Sequence, residues 1–217
     1  AVLTVTLNIL VALGTAAAVK QQIIGRHFFR TIYYVPVLLS VSAMALVMQR
    51  VFDPQRGLLN YYITDLLHGP RIVWLGDANW VWPALLLTSA WKGFPYVALM
   101  ALSGLQGIPR ELLEAATVDG ATGWQRFRHV VLPLLRPILF VTGLVSIVST
   151  WTKFEMIWVL TGGGPGYETS ILPTYLYTQA FRFFNLGLGS AVGTLSMLFV
   201  VGIVVVYARM FKSDSPY

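Results

Sequence analysis

The chain has 217 residues, 56% of them hydrophobic and 11% charged, with a mean hydropathy of +0.69 and a formal net charge of +6. A soluble domain of this length carries roughly a quarter charged residues, so too little polar surface is left to cover a water-exposed globule, and a membrane protein is the first reading. With no cysteine, disulfides, thiolate metal sites and cysteine nucleophiles are excluded, and the basic residues are too scattered to form a nucleic-acid-binding face.

Five stretches can cross a hydrocarbon core, which takes about 20 helical residues each. They are Ala1–Val19, Thr31–Met48, Trp80–Leu105, Leu132–Leu160 and Leu186–Ala208. The third and fourth exceed the minimum and must tilt, bend or extend past the bilayer. Pro133 and Pro137 predict a bend at the start of the fourth, and Pro36, Pro83 and Pro95 predict interruptions in others. Trp80, Trp82, Trp158 and Tyr207 suit interfacial aromatic belts. Gly189 and Gly193 form a small-xxx-small pair suited to helix packing.

The basic residues set the predicted orientation. Lys20, Arg26, Arg30, Arg110, Arg126, Arg128, Arg136, Arg209 and Lys212 fall in one set of connections, and only Arg50, Arg56, Arg71 and Arg182 in the other. The positive-inside bias places 20–30, 106–130 and the C-terminus in the cytoplasm, and 51–79 and 161–185 outside. With five spans, Ala1 then starts on the outer side, so an upstream transmembrane helix is expected before this sequence; it opens on Ala1 and shows no cleavable signal.

The connection between the third and fourth stretches, residues 107–133, is the most informative. Pro109 suits the first turn of a helix, Glu111 and Glu114 its positive dipole end, and Gly120 a left-handed termination. Thr122-Gly123-Trp124-Gln125 has the form of a capping box opening a second short helix, which is predicted to run to Pro133. Small Ala115 and Ala116 permit close approach of another surface.

Glu114-Ala115-Ala116, Asp119-Gly120-Ala121, Phe127 and Leu132-Pro133 resemble the EAA motif of ABC importer permeases. Further segments resemble the carbohydrate-uptake members, such as maltose and glycerol-3-phosphate permeases: Phe52-Asp53-Pro54, Gly57-Leu58-Leu59-Asn60, Trp91-Lys92-Gly93-Phe94-Pro95-Tyr96, Gly104–Pro109 and Leu160–Gly166. The resemblance covers essentially the whole chain. It implies an all-α, polytopic transmembrane helical bundle with an ABC importer permease (MetI-like) core occupying residues 1–217, in a bacterial or archaeal cytoplasmic membrane. It also implies that the 107–133 loop couples to an ATPase through Pro109, Glu111, Glu114, Ala115, Ala116, Asp119, Gly120, Phe127, Leu132 and Pro133. The implied partners are a second permease subunit, two ATPase subunits that bind ATP and Mg, an external solute-binding protein and membrane lipid. No cofactor is expected in this chain.

No catalytic or metal site is expected either. Thr161–Gly166 lacks the Lys-Ser/Thr ending of a phosphate loop and reads as a turn, and His27, His68 and His129 are too dispersed for a metal. Two polar helix faces are candidates for a solute path. Ser89, Lys92, Gly93 and Tyr96 follow i, i+3, i+4, i+7 spacing, as do Ser146, Ser149, Thr150 and Lys153. A lysine at mid-bilayer costs about 2.5–3.5 kcal/mol on insertion scales, which favours a function. The same residues also suit plain packing, with the hydroxyls bonded to neighbouring helices and the lysines paired with Glu155 or reaching outward. Hydroxyls, ammonium groups and a ring suit a sugar; a glycerol-phosphate-type anion is the alternative solute. An ion-coupled secondary transporter would need acidic residues deep in several spans, and only Glu155 comes close.

Overall fold

The computed structural model describes residue 6, residues 35–151 and residues 153–213, the side chains of 150, 151 and 210–213 excepted. The first predicted span, apart from residue 6, and the basic cluster Lys20, Arg26 and Arg30 lie outside the described residues. Every regular element among those described is helical. Among the described residues, three helices are long and apolar enough to cross a membrane: Ala78–Gln106, Gly123–Ser149 and Leu186–Arg209.

The described residues fall into two compact units, one holding 92–147 with residues up to 37, the other 38–91 with 148–213. In the second unit, α1 (Val41–Val51) follows a bend at Leu39 and is capped by Ser40, whose hydroxyl accepts the Ala43 N–H at 3.2 Å. The stretch Thr31–Met48 is therefore not one continuous helix. Its described part is a helical piece over 35–38, a break, and α1. At about 1.5 Å per residue, the 11 residues of α1 reach only about half-way through a bilayer core.

The fourth stretch is also broken, though not where its prolines lie. Helix α6 (Leu132–Trp151) runs through Pro137, Lys153 leaves helical geometry (φ −72°, ψ 39°), and α7 (Phe154–Thr161) begins anew. The predicted interruptions at Pro83 and Pro95 are absent as well, since α3 (Ala78–Gln106) continues through both. Apolar helices tolerate the bonds proline cannot donate; what ends these helices is a partner for the freed termini. Glu155 supplies one, its Oε1 accepting the N–H of Ser42 at 3.1 Å together with the Ser42 hydroxyl. At the other end Gln49 Nε2 donates to the Val159 carbonyl at 2.5 Å. These two links make α1 and α7 parallel half-helices. Ala45, Val81, Leu85, Met156, Ile157 and Leu160 form the apolar core around them.

Two connecting segments share a construction. α2 (Leu58–Asn60) continues as a π turn over Tyr61–Leu66, and α8 (Leu172–Tyr177) as a π turn over Thr178–Arg182. Each then ends on a left-handed non-glycine residue, His68 (φ +53°) and Phe184 (φ +54°). Asn60, 2% exposed, fastens the first segment: its amide donates to the carbonyls of Ile72 (2.7 Å) and Pro54 (3.2 Å), and its oxygen accepts from Ile72 N and Trp74 Nε1. Asp53 accepts the N–H groups of Arg56 and Gln55, which holds its carboxyl below the ordinary value.

The long helix α9 (Leu186–Ser213) begins against the second segment. A Cβ at Gly189 would stand 2.8 Å from that of Ala180, so the small pair at 189 and 193 serves helix packing as expected. Trp80 and Trp82 are exposed. Trp158 instead stacks on Phe154 and meets Tyr177 edge to face, and the Arg182 guanidinium lies 4.7 Å from its ring centroid.

Candidate functional site

The loop after α3 lies wholly within the first unit and folds into a helical hairpin. Pro109 stands just outside α4 (Arg110–Val118) as its N-cap (φ −56°, ψ 135°), rather than in the first turn. Glu111 occupies that turn, whereas Glu114 sits a turn further on, away from the dipole end. The helix closes with paired bonds from Ala121 N to Ala116 O (3.0 Å) and from Gly120 N to Thr117 O (3.1 Å), a Schellman motif with Asp119 as C-cap. It requires a left-handed residue, and Gly120 takes φ +77°.

The capping box forms as its sequence predicts: Thr122 N donates to Gln125 Oε1 at 2.7 Å, and Gln125 N to Thr122 Oγ1 at 3.4 Å. The second helix does not stop at Pro133. α5 (Gly123–Arg126) passes through a π turn over Phe127–Val131 directly into α6. The wider turn falls just ahead of Pro133, whose missing N–H cannot join the ordinary ladder.

Ile108, Val131, Leu105, Ala101 and Leu135 form a buried cluster, with Leu113, Phe127 and Leu139 packed on it. Gly104 allows this closeness: a Cβ there would lie 2.6 Å from Leu135 Cδ2 and 2.7 Å from Ile138 Cδ1. The outer face of the hairpin is uncovered. Glu111, Glu114, Ala115, Asp119 and Gly120 are exposed, as are Leu112, Val118 (87%) and Trp124 (65%). Ala116, Phe127 and Leu132 are half-buried and Pro133 exposed. The result is an exposed acidic and apolar surface on a turn that the Schellman bonds and the capping box hold.

Within α3, Ser89, Lys92, Gly93 and Tyr96 share one helical face. Their environments differ. Ser89 is 5% exposed, its hydroxyl 3.6 Å from Met156 Sδ, and Tyr96 is 38% exposed. The Lys92 ammonium donates to Pro36 O at 2.7 Å and Val37 O at 3.2 Å. On α6, Ser146 is buried and Ser149 exposed, while the side chain of Thr150 lies outside the described residues. Lys153 does not continue that face, because the helix has already ended. The Glu155 carboxylate is held by Ser42. Sequence reasoning missed Ser42, Gln49, Thr117 and Arg126 as partners. Only Ser40, with the form of an N-cap inside an apolar run, signalled the break that brings Ser42 and Gln49 into play.

Residues 10–212 match the family described as binding-protein-dependent transport system inner membrane component. Among similar proteins, the trehalose/maltose transport system permease protein MalF of Thermococcus litoralis is 33% identical over 97% of this chain and 72% of its own length. The sn-glycerol-3-phosphate transport system permease protein UgpA of Agrobacterium fabrum is 32% identical over 100% and 73%. In architecture, the chain resembles a crystallised bacterial ABC transporter involved in the import of the acidic polysaccharide alginate, with TM-score 0.84 and 24% identity over 95% of this chain and 72% of the other. The half-helices, the capped hairpin and the long apolar helices are thus those of a permease, and the chain belongs to the binding-protein-dependent transport system inner membrane components.

Proposed function

We propose that this permease moves a sugar or a related polar solute by alternating access, driven by ATP that separate ATPase subunits bind with Mg and hydrolyse. The hairpin carries the reading. Its exposed face of Glu111, Glu114, Ala115, Val118 and Asp119 is held by the Schellman turn and the capping box on the ends of two apolar helices. A groove on an ATPase that closes on this face would move those helices as a body. A second permease subunit, two ATPases and an external solute-binding protein complete the assembly, with 107–133 and the C-terminus in the cytoplasm.

The solute path runs along Ser89, Lys92, Gly93, Tyr96, Ser146, Ser149, Thr150 and Lys153. Tyr96 offers a ring for stacking, and Lys92 shapes the path through the carbonyls it holds. Likeness to a trehalose/maltose permease supports a neutral sugar; the similarly close sn-glycerol-3-phosphate permease keeps an anionic solute as the second reading.

The test is Gly120→Val and Ala115→Arg in the complete complex. Both variants insert normally but lose the ATPase on co-purification, or lose the stimulation of its hydrolysis by the binding protein and uptake into vesicles. Wild-type values of all three in both variants overturn the coupling reading.

A further inference from the structure

The hairpin must do more than present a surface. If α4 could swing about residues 119–122, a push on it would be lost in the turn. The Schellman and capping-box bonds each lie within one corner of that turn. One side-chain hydrogen bond ties the two helices directly: Arg126 Nη1 donates to Thr117 Oγ1 at 2.8 Å. The Thr117 hydroxyl in turn donates to the Leu113 carbonyl at 2.7 Å, so its single proton and an acceptor site are both used. Arg126 is half-buried in the last turn of α5, immediately before the π turn that leads into the apolar helix. Leu113, whose carbonyl ends this chain of bonds, packs with Phe127 on the cluster of Ile108, Val131 and Leu135.

We infer that Arg126 and Thr117 are positioning residues that lock the hairpin into a single crank, so that displacement of the ATPase-facing helix is delivered to the membrane helix instead of being absorbed at Gly120. Neither belongs to the EAA motif residues, and Thr117 is not on the acidic edge offered for docking. The inference rests on the coupling reading above and adds the device that carries force through the loop. A guanidinium suits it because it holds a fixed fork on a half-buried stem, while threonine tolerates the bond within a helix by returning its proton to the preceding turn.

The test uses the full complex, with its ATPases and binding protein, in vesicles. Arg126→Met keeps the length of the stem without its donors, and Thr117→Val keeps the shape without the hydroxyl. Both are expected to retain the ATPase at wild-type stoichiometry while the ATP hydrolysed per solute imported rises about fivefold, the equivalent of losing about 1 kcal/mol. Thr117→Ser, which keeps the bond, stays at the wild-type ratio, and the double variant is no worse than either single one, as members of one bond should be. An unchanged ratio in both single variants overturns the inference, and so does outright loss of the ATPase, which would make the pair part of the docking surface. Failure of the coupling reading itself is separately visible, because Gly120→Val and Ala115→Arg would then leave the ATPase bound and stimulated.

Discussion

The ammonium of Lys92 lies 2.7 Å from the carbonyl oxygen of Pro36 and 3.2 Å from that of Val37, the end of a helical piece that stops at Leu38. A cation on the terminal carbonyls of a helix is favourable both as a hydrogen-bond donor and against the dipole. In an apolar surrounding those carbonyls have no water to turn to. Lys92→Met should therefore lower the Tm of the purified complex by several degrees and reduce maximal uptake, leaving the KM for solute within about twofold, on a cost of about 1–3 kcal/mol for the orphaned acceptors. Tyr96→Ala should do the reverse, raising KM with little change in Tm. Uptake assays alongside thermal unfolding separate the two roles.

Glu155 and Ser42 form the matching link at the start of α1. Glu155→Ala leaves the Ser42 N–H without its acceptor and should cost about 1 kcal/mol, as loss of a helix cap does. Glu155→Gln keeps an acceptor and should cost less. Ser42→Ala combined with Glu155→Ala should be less damaging than the sum of the two, measurable as a double-mutant cycle on thermal or denaturant stability.

The physical difference between these breaks and the hairpin explains what could be read from sequence. The hairpin is built by bonds within four or five residues, so Pro109, Gly120 and the Thr122–Gln125 pair reveal it locally. The breaks at Leu39–Ser40 and Lys153 are settled by partners far along the chain, with Ser42 and Glu155 113 residues apart. Hydropathy reads much the same for a straight span and for a broken one whose freed backbone groups find protein partners. For the same reason Pro83 and Pro95 misled, and Lys153, read as continuing a helical face, stands instead at the break. Asn60 was visible only as a motif residue; its four hydrogen-bond partners are found at Pro54, Ile72 and Trp74 once the segment is folded.

Gly57 offers a sharp steric test. A Cβ there would lie 2.6 Å from the Val51 carbonyl oxygen and closer still to that of Asp53. These are backbone atoms, unable to rotate away. Gly57→Ala should destabilise the permease by about 1–3 kcal/mol and impair assembly. At Gly202 an added Cβ meets nothing within 4 Å, and since alanine also favours a helix, Gly202→Ala should be neutral or slightly stabilising. Thermal unfolding of the pair in one detergent gives the comparison.

Because these 217 residues contain no cysteine, the orientation of this part can be read with single thiols. A cysteine replacing exposed Arg128 should react with an impermeant maleimide only from the cytoplasmic face, and one replacing exposed Glu168 only from outside. The opposite pattern would reverse the proposed topology.

The break at Lys153 also bears on how the chain is made. A ribosome feeding α7 into the membrane delivers two charged groups, Lys153 and Glu155, where a translocon expects hydrocarbon. The donors that the Glu155 carboxylate accepts, the N–H and hydroxyl of Ser42, were synthesised 113 residues earlier. At about 5–20 residues per second, α1 has waited roughly 6 to 23 s in the bilayer by then. Ser40 caps the Ala43 N–H from within α1 itself, so what waits for α7 is narrower: the N–H and hydroxyl of Ser42, which gain their acceptor only when Glu155 has been made.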